Sequence, residues 1–158
     1  MSDGVPFTTF NFLVVLELPG EEGTICDSAF SDCSGLEMTL APKSIREGGN
    51  NGRQIHLAGP VSYGQLTLKR GMTEDFTLWQ WFERVQTERN LRAAGQVQML
   101  SPDRRSKPDV IFNLTGCLPV KIKAPSLSGK DGLIAIEEMQ LAYETLSMQT
   151  NNGQAANA

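Results

Sequence analysis

SIREGGNNGRQIHLAGPVSYGQLTLKRGMTEDFTLWQWF, residues Ser44 to Phe82, holds three kinds of chain in succession. The first part is polar and rich in glycine, with Gly48-Gly49-Asn50-Asn51-Gly52 at its centre, a run that suits a hairpin tip or a mobile loop. A connection from Lys43 to Pro60 is long for a compact domain, and such loops are functional or disordered. Gln65 to Arg70 then alternates polar and apolar, which reads as a short strand with Leu66 and Leu68 inward. Thr73 suits an N-cap, and Glu74 and Asp75 suit a first helical turn. Leu78, Trp79, Trp81, Phe82 and Val85 recur at helical spacing. The pattern predicts a helix over Asp75–Glu88, about 21 Å long. Leu78, Trp79, Phe82 and Val85 are expected to pack it onto a sheet. Two tryptophans two positions apart cannot face the same way. One is expected to be partly exposed, a position that favours protein contact.

Working outward, Phe10 to Leu18 alternates as a half-buried strand, and Ala29 to Leu40 reads as a second, interrupted at Ser34-Gly35. Ala93 to Leu100, Asp109 to Lys123 and Leu133 to Leu146 supply three more. In Asp109–Lys123 the apolar residues Val110, Phe112, Leu114, Leu118, Val120 and Ile122 share one parity. Pro119 lacks an N–H and needs a strand edge or a bulge. In the last strand Ile134 and Ile136 are even but Met139, Leu141 and Tyr143 are odd, which predicts a bulge near Glu137-Glu138. The tail from Thr150 is polar and is expected to fray. The result is a mainly β domain with one α-helix: a six-stranded antiparallel β-sandwich or barrel capped by the helix, with its core over about residues 8–149. Its strands carry a polar row: Thr67, Lys69, Gln96, Gln98, Asn113, Thr115, Lys121, Lys123, Glu138 and Gln140. A sheet with one wet face is ordinary, and it is also what a water-filled bore needs.

The chain of 158 residues fits one domain, and its formal net charge of −4 argues against a dedicated nucleic-acid binder. Three cysteines, Cys26, Cys33 and Cys117, do not make a disulfide framework, and with His56 the single histidine no zinc site is spelled out. The cysteines are expected to be reduced thiols in a cytoplasmic product. No signal peptide and no bilayer-spanning run is visible, so no direct membrane insertion is expected. His56 has no nucleophile and orienting acid in any motif around it, and Gly48-Gly49 does not match a phosphate-binding loop. No catalytic, cofactor or metal residue is assigned. The expectation is not an enzyme.

Several elements in order resemble the tail-tube protein family of contractile phages and contractile injection systems. They are Phe10-Asn11-Phe12, Ser34-Gly35-Leu36-Glu37, Arg46-Glu47-Gly48-Gly49, Leu57-Ala58-Gly59-Pro60 with Tyr63, and above all Leu66-Thr67-Leu68-Lys69-Arg70-Gly71 before the aromatic helix. Pro119-Val120-Lys121, Ile136-Glu137-Glu138-Met139 and Ala142-Tyr143-Glu144 complete the order. Ile45 stands where the family commonly has an aromatic, and Ala58 replaces its usual proline. The resemblance implies a homo-hexameric ring, tail-tube-like in fold and similar to type VI secretion tubes, whose copies stack into a tube inside a sheath protein. It implies baseplate, spike and terminator partners, with cargo protein or DNA in the lumen. It implies assembly in the cytoplasm, then membership of a phage tail or tail-like particle. The polar row becomes the lumen wall. The loop residues Lys43, Arg46, Glu47, Gly48, Gly49, Asn50, Asn51, Arg53 and His56 become the contact with the next ring. The R-E-G-G form is shared with tube-initiator proteins, so tube body and initiator or terminal ring both remain, beside a small-ligand-binding β-barrel.

Overall fold

The computed structural model describes residues 12–46, 54–100, 108, 110–130, 132 and 134–150. The order is β1 (Phe12–Glu17), β2 (Thr24–Ser28), β3 (Asp32–Ser34), β4 (Met38–Arg46), β5 (Gln54–Tyr63), β6 (Gln65–Gly71), α1 (Thr77–Thr87), β7 (Ala93–Met99), β8 (Val110–Lys123), β9 (Ile136–Ala142) and β10 (Thr145–Thr150). All strand pairs are antiparallel. The class is as the alternation predicts, although ten described strands replace the expected six. Among the described residues no helix is long and apolar enough to cross a membrane.

One long strand organises the sheet. The first half of β8 lies between β7 and β10, and its second half pairs with β9. β9 and β10 run as one ribbon along β8: Ala142 faces Leu118 and Thr145 faces Thr115. The ribbon breaks at Tyr143-Glu144, where the Glu144 N–H donates to the Thr115 carbonyl at 2.7 Å. Opposite stands Gly116, at a φ of +63°, where an added Cβ would lie 2.5 Å from the Glu144 side chain. The sheet turns this corner and encloses one core. Val14, Leu16, Val97 and Leu114 come from one side of the corner, Leu66, Leu68, Met139 and Leu141 from the other, and Leu78 and Trp81 from α1.

β4 and β5 form a separate two-stranded sheet, paired from Met38–Tyr63 to Arg46–Gln54, with a bulge in β5 where Gly59 and Pro60 stand opposite Ala41. The stretch expected to be a long loop is therefore mostly ladder. Its alternation is hidden in the sequence because the hairpin buries little: Met38, Leu40, Ile45, Leu57 and Val61 are all exposed. Its root is held from the ribbon break. The Tyr143 hydroxyl donates to the Gly35 carbonyl at 2.7 Å and accepts from the Glu37 N–H at 3.1 Å, and its ring lies 5.7 Å from that of Tyr63.

Other expectations change in detail. Ala29–Leu40 is not one strand but β3 and the start of β4, separated by Gly35–Glu37. Gly35 has a φ of +99°, and a Cβ there would sit 1.9 Å from the Gln65 carbonyl oxygen. The bulge expected at Glu137-Glu138 does not occur. β9 pairs with β6 without interruption from Ile136 to Ala142, because Ile134 and Ile136 stay outside and Glu137 takes the core row. β8 carries bulges at Gly116 and beside Pro119, and they turn Val120 to the surface. α1 starts at Thr77 rather than Asp75. Asp75, not Thr73, holds its first N–H, accepting from Thr77 N at 3.1 Å. β10 was missed, and residues 1–11, Phe10 and Asn11 among them, lie outside the described residues.

Replacing Gly35 by Ala forces both a left-handed backbone and a backbone clash. It is expected to cost about 2–4 kcal/mol in urea unfolding with an unchanged slope. Gly129, where an added Cβ meets nothing within 4 Å, is the control and should be near neutral on Ala substitution. Equal, small losses at both sites would refute the close approach.

Candidate assembly surfaces

Alternation along β6 turns Leu66, Leu68 and Arg70 to the same side, and along β9 it turns Glu137, Met139 and Leu141 to meet them. Arg70 and Glu137 are directly opposed in the ladder. A charged pair thus occupies two core positions, with Arg70 at 5% exposure and Glu137 at 3%. Arg70 Nε donates to Glu137 Oε1 at 2.6 Å, and the Trp79 indole N–H donates to Glu137 Oε2 at 2.9 Å. Arg70 Nη2 donates to the Asp75 carbonyl at 3.2 Å, and the guanidinium lies 5.3 Å from the Phe30 ring centroid. The bond from Thr77 is the first cause holding the Asp75 carboxyl below its usual value, and Arg70 adds to it.

This arrangement sorts the helix residues. Leu78 is buried, whereas Trp79, Phe82 and Val85 are half-buried. Trp81, not Trp79, takes the deep core position, and Trp79 reaches sideways to Glu137. Arg70 and Glu137 went unassigned in the sequence, although parity with Leu66 and Leu68, and with Met139 and Leu141, marks them as inward.

The polar row falls on the face opposite the core. Asp32, Lys69, Glu138 and Lys123 are successive cross-strand neighbours, as are Ser34, Thr67, Gln140 and Lys121. Beyond the corner Gln96 faces Asn113, and Thr115 faces Thr145 with their hydroxyls hydrogen-bonded. Asn113 donates to Gln149 at 3.1 Å, and Gln98 to Gln96 at 3.2 Å. All ten residues of the row therefore share one curved surface. Cross-strand pairing of this kind, opposite charges especially, supports a sheet by about 0.2–1 kcal/mol per pair.

Of the loop residues, Lys43 and His56 are exposed on β4 and β5, and His56 Nδ1 lies 3.5 Å from Ser44 Oγ. Arg46 ends β4. Glu47, Gly48, Gly49, Asn50, Asn51 and Arg53 lie outside the described residues, between the closing pair Arg46–Gln54. Among the described residues no cluster of His, Cys, Asp and Glu could hold a metal ion. Burial pushes the Cys33 thiol up to about 11, and burial followed by the Glu144 charge pushes Cys117 up to about 12. Both stay protonated at neutral pH, and the thiolate is the nucleophile.

Residues 8–147 match the model of the T4-like virus tail tube protein gp19 family, and the chain belongs to that family. It is a tail tube protein of the kind found in contractile tails and injection systems. No curated protein is similar enough in sequence to count as a match. Among solved structures, the chain is 29% identical to a chain of the six-fold symmetrised anti-feeding prophage baseplate (TM-score 0.78, covering 92% of this chain and 97% of that one). A chain of the PVC extracellular contractile injection system, in its extended sheath–tube complex, is 19% identical (TM-score 0.77, covering 94% of each). Hcp1 from Flavobacterium johnsoniae shares the fold at 18% identity (TM-score 0.54, covering 88% and 96%).

Glu137→Ala removes the acceptor of the Arg70 Nε–H and of the Trp79 indole N–H and the carboxylate that faces the guanidinium, and is expected to cost about 3–5 kcal/mol. The paired change Arg70→Met with Glu137→Leu should cost clearly less, because neither charge is then stranded. Urea unfolding followed by tryptophan fluorescence measures both. A double variant worse than Glu137→Ala would overturn this account of the pair.

Proposed function

We propose that six copies close into a ring and that rings stack into the inner tube of a contractile particle. In this reading the polar face lines the bore and the β4–β5 hairpin makes the contact between rings. The observation that carries it is the hairpin. Met38, Leu40, Ile45, Leu57 and Val61 are 45–60% exposed on a two-stranded sheet. An isolated two-stranded sheet is marginal in water, and exposed apolar clusters mark interaction sites. Edges add support. β2 and β10 each pair with one strand only among the described residues. Joining edges between neighbouring copies in a closed ring removes unpaired backbone groups that invite aggregation. Sheath protein would surround the tube, with baseplate and terminator proteins at its ends. Cargo protein or DNA would pass through a wall that catalyses nothing. Assembly would take place in the cytoplasm.

A second reading places the chain in the ring next to the baseplate. It is favoured by the 29% identity to a chain of a baseplate structure, against 19% to a chain of a sheath–tube complex.

Electron microscopy of the purified protein separates these readings. Hollow tubes formed by the protein alone support the tube body. Rings that appear only on added spike or baseplate complex support the baseplate-proximal ring. Monomers under both conditions overturn ring assembly. Deleting residues 48–52 is expected to leave a folded subunit that does not stack, so tubes of normal length from that variant would remove the hairpin from the ring contact.

A further inference from the structure

A second apolar surface lies at the other end of β6 from the hairpin. β5 runs into β6 through Gly64 alone, so the hairpin leaves the body at Gln65, beside Ala142 of β9. At the far end Gly71 faces Ile136, and the Met72 N–H donates to the Ala135 carbonyl at 2.8 Å. An Ile134 methyl carbon lies 3.6 Å from where a Cβ on Gly71 would stand. Met72, Ile134 and Ile136 thus gather around one backbone junction, yet they are 40%, 82% and 51% exposed. Ile136 stands in the outward row of Glu138 and Gln140, where a solvated sheet needs no apolar side chain. The length of β6, about 20 Å, separates this surface from the root of the hairpin. Both apolar sets remain exposed, so neither covers the other within one chain.

Charge distinguishes the two ends. On the outer half of the hairpin Lys43 faces Leu57 and Ile45 faces Ile55, so a cation and three apolar side chains share one face. Among its described residues the hairpin carries Lys43 and Arg46 and no acid. The turn from Met72 to Phe76 carries Glu74 and Asp75 and no cation. Asp75 is engaged by Thr77 and lies 3.9 Å from Arg70. Glu74 is exposed and has no hydrogen bond or ion pair among the described residues. Exposed apolar surface marks an interaction site, and opposite charge beside it fixes which surfaces meet. The two ends differ, so a contact between them is heterologous, and one that does not close on itself keeps growing.

We propose that the outer half of the β4–β5 hairpin docks on the Met72–Ile134–Ile136 surface of a second copy, with Lys43 brought to Glu74. The inference rests on the reading of the hairpin as the contact between rings, and it adds the surface that receives it. It also gives the stack a polarity: every ring offers hairpins at one end and receiving surfaces at the other.

The test uses two full-length variants. One loses the receiving surface, by Glu74→Lys with Ile134→Asp. The other loses the hairpin face, by Ile45→Asp with Leu57→Asp. All four positions are exposed, so both variants should keep the urea midpoint of the unchanged protein. Each variant alone is expected to stop at single rings in electron microscopy and light scattering, where the unchanged protein forms tubes. Preformed rings of the two, once mixed, are expected to give a twofold rise in particle mass and nothing longer. The intact hairpins of the first then meet the intact receiving surfaces of the second. Tubes of normal length from the receiving-surface variant, with the hairpin variant still stalled, would overturn the docking site and leave the hairpin contact standing. Tubes from the hairpin variant would overturn the contact between rings itself, and the proposal with it. An unchanged protein that never stacks would do the same. Mixed rings that stay single would show that the two surfaces do not meet, and would also overturn the proposal.

Discussion

Arg70 facing Glu137 across the β6–β9 ladder is the constraint on which the rest of the structure depends. Removing two charges from water is expensive, and attraction between them offsets the cost only when every donor and acceptor is matched. Here both Glu137 oxygens are used, one by Arg70 and one by Trp79, and the guanidinium also reaches the carbonyl of Asp75. Such a pair adds little stability over an apolar pair of the same volume. It does penalise every arrangement that separates its members. A one-residue slip of β6 on β9 would turn one inward charge out and strand the other. The same contacts fix where α1 begins and which tryptophan goes deep. Register, helix position and the depth of Trp81 thus share one cause.

The second fixed point is the corner of the β8 ribbon, and it couples the body to the hairpin. Gly116 allows the backbone to turn where Glu144 folds over it, and the neighbouring Tyr143 is thereby directed inward. Its hydroxyl holds Gly35 and Glu37, at the root of β4, and its ring holds Tyr63, at the end of β5. The hairpin contributes little to the core, so its direction is set almost wholly at this root. A protruding arm anchored through a buried tyrosine can be aimed at a neighbour while its outer residues remain exposed.

The sequence displayed the fold class because alternation in β1, β6, β7 and β9 survives burial of one face only. It hid the hairpin because a ladder exposed on both faces has no apolar period to read, and because Gly59 and Pro60 look like loop residues within β5. It misled at Glu137-Glu138 because an inward glutamate and two outward isoleucines mimic a bulge: the apolar parity changed while the backbone register did not. The helix start was placed early because Thr73 and Asp75 both suit a cap, and their order in space depends on Arg70 holding the Asp75 carbonyl. The polar row was legible as a row. Its order across strands was not, because neighbour relations such as Lys69–Glu138–Lys123 depend on pairing, which a single strand does not carry.

That order matters for what the face can do. Asp32, Lys69, Glu138 and Lys123 alternate in sign across four strands and sum to zero, the adjacent row Ser34, Thr67, Gln140 and Lys121 adds one positive charge, and the rows beyond the corner are mainly amides and hydroxyls bonded to one another. Charges paired with immediate neighbours have a field that decays over a short distance, and at physiological salt the screening length is only about 8 Å. Repeated around a ring and along a stack, a row with a net sign would add up into an adhesive stripe for cargo of opposite sign. A row that cancels within each subunit does not accumulate, however many copies are added. The Asp32–Lys123 row, though not the Lys121 row beside it, is therefore suited to being multiplied. In that respect it differs from a binding site, whose charge is useful because it is left unmatched.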